Sequence, residues 1–197
     1  MKKVFFVTTM ILGAFFAKAQ NVQFGLKAGV NSSRINVKDV SNAVDSRISF
    51  HVGGLAHIHL SDNFALQPEL TFSGQGYKLN GTGSNADQFV NLNYINLPVL
   101  LQFMTKSGFR LETGPQFGAL IGAKYKAGAI DADIKAEYKT LDVSWDFGLG
   151  YITPSGFGVD ARYNLGLSNI RENKPEKYTN RVFQAGLFYQ FKTPKRK

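Results

Sequence analysis

Three histidines crowd one short stretch of the chain: His51, His57 and His59 in "HVGGLAHIH". His57 and His59 stand two residues apart, a spacing that puts both side chains on one face of a strand. Imidazoles so placed can ligate a transition metal. A single histidine beside a Ser, Asp or Glu can instead serve as a general base. Charges recur at the same spacing, Arg162 with Asp160 and Arg110 with Glu112. Each couple reads either as a substrate-binding charge pair or as part of a structural network.

No nucleophile elbow and no carboxylate at ligand spacing accompanies the histidines, so polar filling of an interior is the better reading of all three. The charged couples read the same way, because an enclosed space cannot leave charges unpaired. Gly148 and Gly150 form no phosphate loop, since no helix follows them. We therefore expect no catalytic residue, no metal site and no cofactor, and assign no role to the histidines.

The elements that position these residues alternate apolar and polar residues. The clearest is "VDARYNLGLSNI" (159–170): Val159, Ala161, Tyr163, Leu165 and Leu167 share one face, while Asp160, Arg162, Asn164, Gly166 and Ser168 share the other. Such alternation is the mark of a strand with unlike faces. Counting from Phe157 in this stretch, eight segments show it, the others being 22–30, 48–60, 64–76, 94–103, 109–121, 143–151 and 181–191. None has a sustained 3.6-residue period. The chain is all-β.

Short polar turns at 61–63, 105–108 and 153–156 alternate with longer polar connections at 31–47, 77–90, 122–141 and 169–180. Membrane barrels sort their connections in this manner, long outside the cell and short in the periplasm. The apolar faces carry no charge through their central positions. The opposite face carries Lys27, Arg110, Arg162, Glu69, Glu112, Asp146 and Asp160. Aromatics border the short turns on the apolar face (Phe64, Phe103, Phe109, Tyr151, Phe157), and Phe24 and Phe191 stand at the same depth near the chain ends. That is an interfacial girdle. We expect an eight-stranded antiparallel up-and-down transmembrane β-barrel with both termini in the periplasm. The competing reading is a soluble lipocalin-like binding barrel with the apolar face inside. Pro68, Pro98 and Pro115 fall inside strands, where each should mark a bulge or a break in pairing.

The first residues, "MKKVFFVTTMILGAFFAKAQ", have two lysines, an apolar run and Ala17-Lys18-Ala19. This is the pattern of a secretory signal peptide, 1–19, cleaved after Ala19. The barrel domain is then 20–197, with strands to about 191 and a short basic tail, 192–197. The leader holds three of the lysines, so the formal charge falls from +9 to +6. Nucleic acid is not the partner of an exported chain. Anionic lipid headgroups and surface polyanions fit that charge better. A mean hydropathy of −0.14 is too polar for a bundle of membrane helices. With no cysteine there is neither a disulfide framework nor a thiolate zinc site.

On "GLKAGVN", "YINLPVLLQF", "LETGPQFGALI", "DFGLGY" and "DARYNLGLSNI" the chain resembles the outer-membrane β-barrel family of the Bacteroidetes, the PorT-type or "porin family" proteins. The most specific match is Asp160, Arg162, Tyr163, Asn164, Gly166, Leu167 and Asn169. Family members often carry an acidic residue where this chain has Asn96. "QAGLFYQF" resembles the C-terminal strand read by the outer-membrane assembly machinery, although "KTPKRK" follows it here.

The resemblance implies residence in the outer membrane, contact with its lipid and lipopolysaccharide, and in some members a link to gliding and type IX secretion. The expected role is a structural or interaction barrel, not an enzyme, whose long loops meet surface glycans, lipopolysaccharide or partner proteins. The alternative is a lipid A-modifying barrel using a lumen histidine. Eight strands enclose only enough room for side chains, here including Gln116 and Tyr94, so no general diffusion channel is expected.

Overall fold

The computed structural model describes residues 22–37, 44–79, 87–172 and 176–191. The expected leader and basic tail lie outside the described residues.

The strands in chain order are β1 (Val22–Val37), β2 (Asp45–His59), β3 (Phe64–Leu79), β4 (Gln88–Met104), β5 (Phe109–Ala127), β6 (Ile130–Asp133), β7 (Leu141–Ile152), β8 (Phe157–Gly166) and β9 (Tyr178–Gln190). β1 to β5 pair in sequence, β5 continues to β7, β7 to β8 and β8 to β9. β9 returns to β1, and every pairing is antiparallel. Eight of the described strands thus close a ring. β6 folds back on the far end of β5 and stays outside that closure.

Two of the short turns are copies of one design. Thr105-Lys106-Ser107-Gly108 and Thr153-Pro154-Ser155-Gly156 each precede a phenylalanine. In both, the threonine hydroxyl bonds the serine hydroxyl (2.8 and 2.7 Å) and donates to the phenylalanine carbonyl (3.2 and 2.8 Å). The glycines take φ of 96° and 100°, a conformation in which only glycine is unstrained. Their carbonyls accept from the Ile152 and Gln190 amides, both at 2.9 Å, so each turn also ties down the end of a neighbouring strand.

The alternation resolves with its apolar face outward. Phe24, Ile48 and Leu187 are 64%, 69% and 65% exposed, while Lys27, Glu69 and Arg162 on the inward face are 4%, 2% and 2% exposed. A water-soluble barrel needs the opposite arrangement, so the lipocalin-like reading is excluded. At the girdle, Phe64 packs on Phe103 and Phe157 on Tyr189, with centroids 5.4 and 4.7 Å apart.

Each in-strand proline adjoins a ladder interruption. The β2–β3 pairing skips from Leu55↔Glu69 to Ile58↔Leu66, β3–β4 from Pro68↔Val99 to Thr71↔Asn96, and β4–β5 from Pro98↔Gln116 to Leu101↔Thr113. Register is the same on both sides of each gap. These are breaks in pairing without an added residue, as a missing N–H donor requires. True register shifts lie elsewhere, between Ser46 and His51 and at Asn93/Tyr94. At the second, Ile121 is the extra residue on β5. It reverses the phase beyond it and turns Ala123 inward, 1% exposed.

The strands also run well into stretches that read as loops. β1 continues to Val37, β3 to Leu79, β4 begins at Gln88 and β5 reaches Ala127. About 9–11 residues cross a bilayer, whereas β4 and β5 have 17 and 19. β8 has 10. The wall is therefore tall on the β1–β5 side and low at β8. The inward surface of the tall side carries Ile35, Val90, Leu92, Tyr94, Leu120 and Ala123, buried under Tyr138 and Ile170 from the two connections opposite.

Candidate functional site

The central ionic group draws on four strands, one in each quarter of the ring. β3 and β8 lie opposite each other, as do β1 and β5. Arg162 on β8 forms a two-point pair with Glu69 on β3, Nη2 to Oε1 at 2.9 Å and Nη1 to Oε2 at 3.0 Å. Its Nε donates to Glu112 Oε1 on β5 at 2.9 Å. Lys27 on β1 donates to Asp160 Oδ2 at 2.8 Å and to Glu69 Oε2 at 3.2 Å. Gln67 and Gln102 donate the remaining bonds to Glu69 and Glu112, both at 2.9 Å. Each buried carboxylate of the central group is met by donors, the condition under which ionic groups tolerate a water-poor interior.

Of the couples read from sequence spacing, Arg162 and Asp160 form only a long ion pair, and Arg110 and Glu112 form none. Asp160 stands 3.8 Å from Arg162 but is held by Lys27. Arg110 does not bond Glu112; its Nη2 donates to Gln190 Oε1 at 3.0 Å, and its guanidinium stacks over Phe188 at 5.5 Å. Residues two apart on a strand point the same way but are separated along the axis, so shorter bonds reach across the lumen. Asp146, also expected inside, accepts from Asn164 Nδ2 at 2.6 Å and lies 3.9 Å from Arg162.

All three histidines lie on the inward phase of β2. Asn31 uses its amide nitrogen on Ser73 Oγ and on the Gly74 carbonyl, so its Oδ1 accepts from His51 Nδ1 at 2.7 Å. Gln67 donates to Glu69, so its Oε1 accepts from His57 Nδ1 at 3.2 Å. His57 and His59 meet edge to face at 4.6 Å. Ser73 is the ladder partner of His51, yet its hydroxyl is taken by Asn31 and Gln75. Amides, not carboxylates or hydroxyls, orient the rings. Among the described residues no three His, Asp or Glu side chains cluster as a metal would require.

Toward the long connections the interior changes character, which the alternation did not reveal. Asp142 accepts from Asn180 and Ser168 at 2.8 and 2.6 Å. Above it the apolar cluster closes the mouth. Lys139 N donates to the Ile170 carbonyl at 2.8 Å, Glu172 N to the Glu137 carbonyl at 3.0 Å, and Arg171 Nη1 to Glu137 Oε2 at 2.7 Å. Arg171 also covers the Tyr138 ring at 4.6 Å. Burial of the Tyr138 phenol pushes its pKa up. The tyrosines Tyr77, Tyr94, Tyr125, Tyr138 and Tyr178 are the one signal for this cap, but they are scattered along the chain.

A family model, "Outer membrane protein beta-barrel domain", matches residues 18–172. No curated protein matches the chain in sequence. Among solved structures it is similar to Neisserial surface protein A (TM-score 0.55, 16% identity, 87% of this chain and 100% of that one). It is also similar to Ail, the attachment invasion locus protein of Yersinia pestis (TM-score 0.50, 14% identity, 87% and 100%). A second Ail structure, in complex with the heparin analogue sucrose octasulfate, gives a TM-score of 0.51 at 13% identity over the same shares. Identities this low speak for the fold alone. With an outward apolar face, a girdle and a polar buried interior, the chain belongs to the outer membrane protein beta-barrel domain family and is a small outer-membrane β-barrel protein.

Proposed function

We propose that this protein is a non-enzymatic interaction barrel, its long connections outside the cell and its short turns and termini in the periplasm. Those connections meet surface glycans, lipopolysaccharide or partner proteins. The observation that carries this reading is the filled interior: the Lys27–Glu69–Arg162–Glu112 network spans the axis and Tyr138 and Ile170 close the mouth. Surfaces left for recognition are then the outer wall and the capped loop end. The histidine rings are held at Nδ1 by the amides of Asn31 and Gln67, and the hydroxyl paired with His51 in the ladder is taken by other groups, which supports the non-enzymatic reading.

Capture from detergent-solubilised membranes after surface crosslinking tests the reading. Enrichment of glycolipid, glycan or a surface protein, crosslinked through 128–140 or 167–172, is the expected result. Lipid A from cells with and without the protein should have the same acyl pattern. A pattern that changes, and reverts with His51→Ala or His57→Ala, would establish the lipid-modifying enzyme instead.

The finer assignment, PorT-type and of Bacteroidetes lineage with a role in secretion, rests on the sequence resemblance centred on Asp160 to Asn169. Comparing proteins secreted by cells with and without the gene tests it, an unchanged set ending the secretion link.

A further inference from the structure

Two arginines face each other on the outside of the barrel. Arg34 of β1 and Arg181 of β9 are direct ladder partners. Both follow the outward phase, set on β1 by Phe24, Leu26 and Val30 and on β9 by Phe183 and Leu187. Like charges placed opposite one another on a sheet destabilise it. Among the described residues neither guanidinium has a carboxylate within ion-pair distance. Arg181 Nη1 donates to the Tyr163 hydroxyl at 3.3 Å, and its buried Nε has no partner. Among the described residues, then, no anionic group balances the pair.

Depth indicates which anion. Arg34 is ten residues from the girdle residue Phe24, and Arg181 is ten from Phe191. Ten residues rise about 33 Å along a strand, and about 25 Å along the axis at a tilt of about 40°, the height of the apolar band of such barrels. The two guanidiniums therefore stand where outer-leaflet headgroups begin. The next outward rung below them holds Ser32 and Phe183, and Val30 follows on β1; Phe183 and Val30 are 51% and 57% exposed, a surface on which acyl chains pack.

We propose that Arg34 and Arg181 form a clamp for the phosphate of a lipid A-type glycolipid in the outer leaflet, with the Tyr163 hydroxyl fixing Arg181. Paired guanidiniums suit the three oxygens of a phosphate monoester, because each offers a planar fork of donors. The anion removes the repulsion between them and holds one lipid at the β1–β9 seam. This names one lipopolysaccharide contact of the proposed function and rests on the orientation given there.

The test is native mass spectrometry of the full mature protein in mild detergent with bis-phosphorylated lipid A, phosphate-free lipid A or inorganic phosphate. The wild type should retain one bis-phosphorylated lipid, and the Arg34→Gln/Arg181→Gln variant should bind it at least tenfold more weakly. Phosphate-free lipid A should lose a similar factor on the wild type. Lys106→Gln with Lys139→Gln, the same loss of two charges away from the seam, should bind normally. Thermal unfolding checks folding, and should the double variant not fold, Arg34→Gln alone should weaken binding about threefold.

Equal retention of both lipids by the wild type, or undiminished retention by a folded arginine variant, overturns the clamp. Inorganic phosphate that binds and displaces the lipid at equal concentration overturns the lipid as its ligand. None of these results touches the contacts read by surface crosslinking, so the clamp can fail while the interaction-barrel reading stands.

Discussion

Glu69 and Arg162 face each other from β3 and β8, four strands apart whichever way the ring is followed, and meet in a two-point ion pair. A contact of this kind braces the barrel across its diameter. It also occupies the axis, so bracing the wall and blocking the lumen are one act.

Removing Arg162 leaves Glu69 and Glu112 buried without their main counter-charge. Breaking a buried pair from one side costs about 3–5 kcal/mol. Arg162→Ala should lower the unfolding temperature in detergent markedly. Tyr163→Leu, one residue away and outward, should cost less than about 1 kcal/mol. The opposite ranking would contradict the assignment of faces.

Because the brace and the cap both cross the lumen, the protein should give no stable conductance steps in planar bilayers. Cap variants alone should not create them, since the ionic layer remains. Large, stable steps in the wild type would show that the filled interior opens.

The cap should loosen independently of the barrel. Tyr138→Ala or Ile170→Ala removes a buried side chain, a loss of about 2–5 kcal/mol. Hydrogen exchange should accelerate at 128–140 and 167–172 and stay slow in the strands. Glu137→Gln removes only a partly exposed partner of Arg171. Such a pair is worth about 0–1 kcal/mol, so exchange should barely change.

Gly108→Ala and Gly156→Ala force an L side chain into φ near +100°. The added Cβ at Gly156 would also meet the Gln190 carbonyl. Each should cost about 1–3 kcal/mol. Gly54→Ala, whose nearest neighbour is 3.7 Å from the new Cβ, should stay within about 0.5 kcal/mol of the wild type. Urea unfolding in detergent distinguishes them, and equal effects would refute the turn argument.

Whatever depends on neighbours along the chain was legible in the order of residues. A period of two fixes which side chains share a face, so Lys27, Glu69, Arg110, Glu112, Asp146, Asp160 and Arg162 were legible as one inward set. Turn chemistry is equally local, and the sorting of short and long connections set an up-and-down order. The lack of a ladder donor at proline is a property of one residue, and the breaks beside Pro68, Pro98 and Pro115 followed from it.

Which inward groups meet depends on the closed ring. Closure of the ring brings β8 to face β3, so Arg162 reaches Glu69, 93 residues away, in preference to Asp160 beside it. The extra residue Ile121 reverses the phase of β5, and no alternation pattern foretells where it falls. Tyr138 and Ile170 are buried by segments that read as polar loops, because burial there comes from two connections folding onto the tall wall. Periodicity reports the direction of a side chain from its own strand; partners across a lumen depend on the order, tilt and length of strands far apart in the chain.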